Sequence, residues 1–354
     1  MKMKKRFLAL SLALAMCLAM LTGCGGGNDA ATDDGGSTDD AAPGTPEVTW
    51  VASCANADDH PAVQGVHKFA ELVEEKSGGR MHIDVFANAQ LASDRDCIEG
   101  MQMNTIQSGI MVSSALAGFT DELLVFDLPF LFENSAQGQA VCDSDVGQQI
   151  LGTLEDIGIK GLGWMEYGMR NITNSVRPIE KPEDLQGIKI RTMENPIHMA
   201  AFQVMGADPT PMAFGELFTA LQQGTIDAQE NPLSVITSSR FNEVQDYLSM
   251  TEHVYSAAPL MVSKAAYDAL PDDLKAIVDE AGVEACQWER EYLAEVEVQW
   301  LDELETAGTQ INYPDKAPFV DAMSSVYNQF VGDGDDMVSP ELLEQVREII
   351  SQVE

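Results

Sequence analysis

The chain has 354 residues and carries 20 Lys and Arg against 57 Asp and Glu, a formal net charge of −37. Because phosphate contacts dominate the affinity of proteins for nucleic acids, a chain this acidic makes nucleic acid a poor candidate partner. The part that follows the N-terminal segments is longer than a single hydrophobic core usually supports, which favours two lobes.

Residues 1–23 have the composition of a lipoprotein signal peptide. Basic residues crowd the first six positions and precede an apolar run over residues 7–21, which is too short to span a bilayer. The sequence LTGC that ends at Cys24 resembles the lipobox of bacterial lipoproteins. This resemblance implies that Cys24 is lipidated and becomes the mature N-terminus. The alternative is an ordinary signal peptide with an incidental Cys24.

Residues 24–47 are predicted to form a flexible acidic linker, since residues 25–46 contain no large apolar side chain that could offset the entropy of ordering. The signal holds four of the basic residues, so the remaining chain carries 16 basic against 57 acidic side chains. The predicted location is extracytoplasmic, with the protein lipid-anchored to the cell membrane.

The cysteines that remain after the signal and the lipidation site are widely spaced and include no CxxC pair: Cys54, Cys97, Cys142 and Cys286. Export permits disulfides, but this spacing resembles no disulfide framework. The spacing supports free buried thiols at least as well as disulfides.

The first part of the folded region has β-α-β-α-β order. Strand composition over residues 47–54 is followed by a helical apolar face that Gly78 and Gly79 close. An alternating strand (MHIDVF), a second helix (DRDCIEGMQMNTI) and a short apolar strand (SGIMVSSA) come next. This order predicts a parallel sheet with covering helices.

A second set of elements begins near residue 158. The segment KPEDLQGIKIR predicts a helical turn and a strand that ends at Arg191. Asn195 as N-cap and Pro196 at the first position open a helix that ends before Gly206. FGELFTALQQG predicts a further helix, and TIDAQ predicts the strand that delivers Asn231.

Residues 271–308 show one nearly unbroken helical pattern of apolar positions at three- and four-residue steps. A single helix of this length would extend roughly 55 Å, which exceeds the needs of one lobe. We therefore expect a long helix that spans both lobes, with coiled-coil dimerisation as the alternative.

The sequence offers no convincing catalytic or metal-binding set. GxSxG, HExxH, P-loop and GxGxxG motifs are absent, and the histidines lack metal-ligand spacing. We expect no enzymatic activity, no cofactor and no metal, and we expect His198 to be a packed or partly exposed histidine of its helix.

Two polar side chains end predicted strands. Arg191 ends GIKIR and Asn231 ends TIDAQEN, while ligands of open α/β sheets bind outside the carboxyl ends of strands. The helix that starts at Pro196 directs free N–H groups to the same region, which favours an anion. A guanidinium matches a carboxylate with two parallel hydrogen bonds. The sequence therefore predicts that Arg191 binds a carboxylate, with a surface or salt-bridged arginine as the alternative.

A long middle segment, from NSVRPIEKPEDLQGIKIR through AQENPL to FNEVQDYLSMTEHVY, closely resembles the substrate-binding subunits of tripartite ATP-independent periplasmic (TRAP) transporters of the DctP type. The likeness runs from about residue 48 to about residue 330. It implies an α/β fold of two lobes that close like a clamp over an organic acid. The partners that it implies are the small and large subunits of a membrane permease driven by an ion gradient.

Carried over to this sequence, the resemblance implies that Arg191 pairs with the ligand carboxylate and that Asn231 and Phe214 line the cleft. A second arginine of the family matches Arg170, which would serve a second carboxylate or a hydroxyl. Opposite-wall contacts are assigned to three first-lobe residues: Asp94, His60 and Ser113.

The predicted lobe I covers residues 48–168 and is completed by about 257–285. Lobe II covers residues 169–256 and is completed by the C-terminal helices at about 286–354. The predicted function is the capture of a small carboxylate, either a sugar or hydroxy acid or a C4-dicarboxylate, with the hydroxylated acid favoured. The alternatives are a ligand-sensing subunit of a signalling receptor and an extracytoplasmic enzyme that acts on organic acids.

Overall fold

The computed structural model describes residues 46–332 and 337–353; the predicted signal, most of the linker and Cys24 lie outside them. Within these ranges the chain forms one compact α/β unit. The strands are β1 (Val48–Cys54), β2 (Met81–Phe86), β3 (Ser108–Ile110), β4 (Ile159–Asn174), β5 (Lys189–Thr192), β6 (Asp208–Pro211), β7 (Ala228–Pro232), β8 (Tyr247–Ser249), β9 (Tyr255–Ser263) and β10 (Gln310–Asn312).

The α-helices of the described ranges cover the strands and fill the C-terminal part. They are α1 (Pro61–Ser77), α2 (Asp94–Gln102), α3 (Ser135–Asp143), α4 (Asp145–Gly152), α5 (Pro196–Val204), α6 (Phe214–Gln222), α7 (Leu233–Ser238), α8 (Lys264–Asp268), α9 (Asp272–Glu297), α10 (Trp300–Ala307), α11 (Ala317–Ala322), α12 (Ser324–Phe330) and α13 (Pro340–Ile350). No helix of the described residues is long and apolar enough to cross a bilayer.

The strands form one connected path in the order β2-β1-β3-β9-β4-β7-β5-β6, with β8 on β4 and β10 on β8. Strand β4 belongs to two sheets. Residues 159–169 pair antiparallel with β9 in the first sheet, which also holds β1, β2 and β3. Residues 170–174 pair with β7 and β8 in the second sheet, which also holds β5, β6 and β10. The chain therefore has the predicted mixed α/β architecture in two parts that share β4. The exact lobe boundaries stay a prediction.

Strand β4 is irregular close to the point where it passes from one sheet to the other. Its register with β9 shifts between Glu166 and Gly168, and Gly168 has φ of +99°. A positive φ of this size is accessible to glycine at little cost, because glycine has no Cβ. The glycine thus permits the change of direction between the two sheets.

The first helices confirm their local signals. Helix α1 ends at Ser77, and Gly78 follows in the left-handed conformation with φ of +64°. Helix α2 begins after Ser93, whose side chain accepts a hydrogen bond from the Asp96 N–H. It ends at Gln102, earlier than the pattern to residue 106 predicts, and β3 covers only residues 108–110 before a short 3-10 helix begins at Ser113.

The prediction of one unbroken helix over residues 271–308 is wrong in length. Helix α9 ends at Glu297, and α10 begins at Trp300. Helix α9 alone has 26 residues, or about 39 Å. It packs on α1 and β4 of the first part and reaches α7 of the second, so a long helix still joins the two parts.

Helix α9 also brings a fully buried carboxyl against β4. The Glu289 side chain is 0% exposed, and its Oε2 accepts a hydrogen bond from the Glu166 N–H at 3.0 Å. Its Oε1 has no hydrogen-bond partner among the described residues. Burial, together with the neighbouring Glu166 carboxylate, raises the pKa of Glu289 well above its usual range.

The four cysteines of the described region are buried and form no disulfides. Burial raises the pKa of each thiol, so these groups are inert in the folded protein. The alternative of free buried thiols is thereby confirmed.

Candidate functional site

Three neighbouring strands of the second sheet hold the predicted site residues Arg170, Arg191 and Asn231. Strand β7 lies between β4 and β5, with Arg170 opposite Pro232 and Arg191 opposite Gln229. The sequence pattern predicts that Asn231 follows the strand TIDAQ. The structure instead places Asn231 inside β7. The sheet places both arginines within reach of the residues around Asn231.

Arg170 is completely buried and already has a carboxylate partner. Its Nε lies 2.5 Å from Glu230 Oε2, and its Nη2 lies 2.9 Å from Glu230 Oε1. The same Nη2 donates to the Glu230 carbonyl at 2.6 Å and to Asn231 Oδ1 at 3.0 Å, while Nη1 donates to Ser256 Oγ at 3.1 Å. This pairing occupies nearly all the donors of the guanidinium.

Glu230 is the centre of a buried network of charges. His253 Nε2 lies 3.1 Å from its Oε2, and His198 Nδ1 lies 3.7 Å from its Oε1. Burial opposes ionisation of Glu230, but Arg170, His198 and His253 together outweigh burial and keep the pKa of this carboxyl well below its usual range. Glu230 is therefore ionised at neutral pH.

His198 lies between two carboxylates, Glu230 and Asp127, and its Nε2 is 3.2 Å from Asp127 Oδ1. Neither ring nitrogen is aligned for a hydrogen bond, so the contacts are ionic. Burial alone would lower the pKa of His198, yet the two carboxylates raise it to about 9. The packed histidine that the sequence predicts is thus also a buried cation.

Arg191 is buried to a similar extent but has a different environment. Its Nε donates to the Met212 carbonyl at 2.9 Å. No carboxylate of the described residues lies within ion-pair distance of its terminal nitrogens, although these face a cavity. Burial, with Arg170 nearby, lowers the pKa of Arg191 to about 10, so the group stays charged at neutral pH.

The cavity has a volume of about 150 Å³ and lies between the two parts of the molecule. An engineered cavity of about this size admits a benzene-sized molecule. The first part contributes Ser93, Asp94, Arg95, Ala115, Gly118 and Phe119 to the walls, and the second contributes Arg191, Met193, Glu194, Met212, Ala213 and Phe214.

Asp94 and Phe214 both lie in the cavity wall, as the family resemblance predicts. Asp94 is the first residue of α2, and Phe214 is the first residue of α6. Burial raises the pKa of Asp94 to about 6, against the opposing effect of Arg191. Asp94 therefore presents an acceptor that remains mostly ionised at neutral pH.

His60 is fully buried at the N-terminus of α1 and is not among the residues that line the cavity. Its Nδ1 accepts a hydrogen bond from the Ala62 N–H at 3.2 Å, and burial lowers its pKa to about 3. The neutral ring must then carry its proton on Nε2. This Nε2–H has no partner among the described residues and lies beside the Tyr167 ring, with a centroid separation of 4.5 Å.

Ser113 is also buried outside the cavity wall, and its hydroxyl has no partner among the described residues. Its neighbour Ser114 takes part in a contact between the two parts of the molecule. Asn195, the N-cap of α5, donates from Nδ2 to the Ser114 carbonyl at 3.3 Å and to Asp127 Oδ2 at 2.9 Å. The Ser114 hydroxyl also donates to Asp127.

Three predicted site residues thus meet in the cavity: Asp94, Arg191 and Phe214. Arg170 and Asn231 lie in the adjoining buried network, and His60 and Ser113 are buried in the first part. Sequence reasoning missed Glu230, although an acidic residue next to Asn231 in a buried strand was a visible signal. It also missed Arg95 and Glu194, which no local pattern brings together.

Residues 52–333 match the family model described as bacterial extracellular solute-binding protein, family 7 (DctP). The chain belongs to this family. The chain is similar to relatives named as 2,3-diketo-L-gulonate-binding and C4-dicarboxylate-binding periplasmic proteins and to solved TRAP periplasmic solute-binding proteins. It is an extracytoplasmic solute-binding protein of the TRAP type.

Two relatives show the extent of the family likeness in sequence. A solute-binding protein of Verminephrobacter eiseniae is 41% identical over 284 residues, which cover 80% of this chain and 83% of the relative. The 2,3-diketo-L-gulonate-binding periplasmic protein YiaO of Escherichia coli is 36% identical over 268 residues, 75% of this chain and 82% of the relative.

Two solved structures show the same likeness in fold. The sugar acid binding protein DctPAm of Advenella mimigardefordensis, in complex with galactonate, superposes with a TM-score of 0.83 at 31% identity and covers 86% of this chain and 98% of its own. A TRAP periplasmic solute-binding protein of Polaromonas sp. JS666, bound to D-erythronate, gives 0.81 at 34% identity, covering 87% and 99%.

Proposed function

We propose that this member of the family binds a hydroxylated acid with one carboxylate, such as an aldonate, and delivers it to a TRAP permease. One observation carries the proposal. Arg191 presents a charged guanidinium to a small cavity, and no described residue supplies its carboxylate. A ligand carboxylate would complete this site through two parallel hydrogen bonds.

The charges around the cavity favour one carboxylate over two. Arg170 is occupied by Glu230, so it offers no second cationic position. Arg95, the other arginine of the wall, lies near Glu99 and Glu194. Asp94 would repel a second ligand carboxylate on its side of the cavity.

Polar groups of the first part favour a hydroxylated tail. Asp94 is an acceptor in the cavity wall. It can accept a hydrogen bond from a ligand hydroxyl, which avoids leaving a buried polar group without a partner. Related structures with galactonate and D-erythronate support this ligand class.

Ligand capture would proceed by population shift. A ligand that contacts Arg191 on one side and Asp94 on the other binds the closed arrangement better than an open one, and so stabilises closure. No step needs covalent chemistry, and we propose that the protein is not an enzyme. Incubating the bound acid with the protein should return it unchanged.

A ligand panel with matched acids tests this function. Calorimetric titration should detect binding of D-galactonate or D-erythronate, and the melting temperature should rise, since ligand at 100 times Kd adds about 2.7 kcal/mol of stability. Galactarate, which differs from galactonate in having a second carboxylate, is the control and should bind much more weakly. Equal or tighter binding of galactarate or succinate would contradict the proposal.

We further propose that the protein is anchored by a lipid on Cys24 and works with small and large permease subunits in the membrane. The LTGC sequence supports the anchor, and family membership supports the permease partner. Cys24→Ala should move the protein from the membrane fraction to the soluble fraction on ultracentrifugation. Continued sedimentation of this variant with membranes would contradict the lipid anchor.

A further inference from the structure

One ion pair crosses the mouth of the cavity. Arg95 lies in α2, which follows β2 of the first sheet, and Glu194 lies between β5 of the second sheet and α5. Arg95 Nε lies 3.6 Å from Glu194 Oε2, and both side chains line the cavity. They are 54% and 70% exposed, so the pair lies at the rim.

Arg95 is held in place from its own side of the cavity. Its guanidinium lies 5.2 Å from the centroid of the Phe119 ring, a cation–π distance. Its Nη1 lies 3.4 Å from Oε1 of Glu99, one turn further along the same helix. These two contacts need only the first part of the molecule, whereas the contact with Glu194 needs both parts together.

Asn195 also joins the two parts of the molecule, but its polar contacts are buried whereas the Arg95–Glu194 pair is exposed. Asn195 and Asp127 are completely buried, and separating them would leave polar groups without partners. Arg95 and Glu194 would instead be solvated by water when the cleft opens. The rim pair can therefore form and break at little cost in each cycle.

We propose that the Arg95–Glu194 pair is a latch that forms on closure and slows ligand release. It holds the rim closed without contacting the ligand carboxylate, which belongs to Arg191. An exposed pair of this kind should change the closed-to-open ratio, and hence the dissociation rate, by about 2- to 5-fold at low salt. Salt should weaken the effect, because the Debye length is about 10 Å at 0.1 M ionic strength.

Dissociation rates test the latch and its specificity. D-galactonate release would be followed by stopped-flow tryptophan fluorescence at low and high salt. Arg95→Gln and Glu194→Gln should each raise the dissociation rate about 2- to 5-fold at low salt. The charge exchange Arg95→Glu with Glu194→Arg should restore the wild-type rate. Arg240→Gln, which removes an exposed ion pair with Glu243 outside the cavity wall, is the matched control and should leave the rate unchanged.

Two results would overturn the latch. A faster release in Arg95→Gln alone, without an effect of Glu194→Gln and without restoration by the exchange, would mean that Arg95 contacts the ligand. Equal rates in wild type and both single variants would mean that the pair does not influence release.

The ligand readout rests on the proposed function, so a second readout dispenses with ligand. Spin labels at the exposed positions Glu75→Cys in α1 and Gln203→Cys in α5 would report the distance between the two parts by double electron–electron resonance. The four native cysteines of the described residues are buried and inert. The closed-to-open ratio should fall 2- to 5-fold in Arg95→Gln and stay constant in Arg240→Gln. An unchanged ratio overturns the latch even if no acid of the panel binds, a result that would count against the proposed function alone.

Discussion

Arg170 and Arg191 are buried arginines on strands that flank β7, yet the chain completes only one of the two ion pairs. Glu230 satisfies Arg170 with two hydrogen bonds to its carboxylate. Arg191 has one hydrogen bond to a backbone carbonyl and faces a cavity. In a site of this kind, the arginine that lacks an internal carboxylate is the one available to a ligand. Burial alone does not distinguish the two roles.

The same comparison explains why the site can exist before a ligand arrives. Burial lowers the pKa of Arg191, and charge repulsion from Arg170 adds to this, although the charge of Arg170 is itself balanced by Glu230. Arg191 thus remains ionised at neutral pH with a pKa of about 10. Arg170 and His198 are balanced by Glu230 and Asp127. The charge of Arg191 has no such partner, and Arg191 lines the cavity.

The largest effect should come from breaking the internal pair. Arg170→Ala leaves Glu230 as a buried carboxylate without its arginine, and breaking such a pair typically costs about 3–5 kcal/mol. Urea denaturation at pH 7, followed by circular dichroism, should show this loss of unfolding free energy. Arg191→Ala is the control and should change stability much less, because no described carboxylate loses a partner. Similar stability losses in both variants would remove the distinction.

Ligand affinity, in contrast to stability, should depend on Arg191. Arg191→Ala should weaken ligand binding by about 2–5 kcal/mol, since the ligand carboxylate would be left unpaired in the closed cavity. Arg191→Lys should also bind poorly, because an ammonium group cannot reproduce the two-pronged geometry. Calorimetric titration measures both, with circular dichroism as the control for folding. A folded Arg191→Ala protein that binds within threefold of wild type would refute the assignment.

A smaller loss of ligand affinity is expected from substitution of Asn231, which lies near both arginines. Asn231 accepts from Arg170 at 3.0 Å and donates to Gln229 Oε1 at 2.5 Å, so it adjoins the internal pair as well as the predicted site. Asn231→Ala should weaken binding by about 1–3 kcal/mol through one lost buried partner. Titration alongside Arg191→Ala tests the order. A larger loss in Asn231→Ala than in Arg191→Ala would contradict it.

Glu289, a buried carboxyl with no ion-pair partner among the described residues, should make the stability of the protein depend on pH. Because the pKa of Glu289 is raised in the folded protein, the folded state keeps a proton that the unfolded chain loses above its ordinary pKa. The unfolding free energy should therefore fall as pH rises above about 4.5, by up to about 1.4 kcal/mol per unit, until the folded pKa is reached. Glu289→Gln should reduce this fall.

Urea denaturation at pH 5 and pH 8 measures the pH effect. Glu295→Gln, an exposed substitution on the same helix, is the matched control and should keep the wild-type slope. Parallel slopes for wild type and Glu289→Gln would show that this carboxyl is not protonated in the fold.

Elements with local signals were predictable from the sequence. The end of α1 at Gly78 and the N-cap of α5 at Asn195 depend on backbone geometry and caps that a few neighbouring residues determine. The break between α9 and α10 was not predictable in this way, since neither glycine nor proline lies at residues 298–299. That break depends on contacts with other parts of the chain.

The residues of the candidate site also differ in whether the sequence could predict them. Arg191, Phe214 and Asp94 were predicted and lie together in the cavity wall, because strand ends and a family resemblance indicated them. The partner of Arg170 was not predicted, because the pairing of β4 with β7 joins residues 60 positions apart. Whether a buried arginine is internally satisfied is a property of strand register, which the sequence pattern alone does not determine.

The continuity of β4 also bears on the thermodynamics of capture. One uninterrupted strand is hydrogen-bonded into both sheets, with register shifts against β9 between Gly161 and Gly163 and between Glu166 and Gly168. The two parts therefore have few ways to move apart, unlike domains joined by a free tether. Fewer ligand-free orientations mean that less conformational entropy is lost when the cleft closes. More of the contact energy of a small acid then remains as measurable affinity.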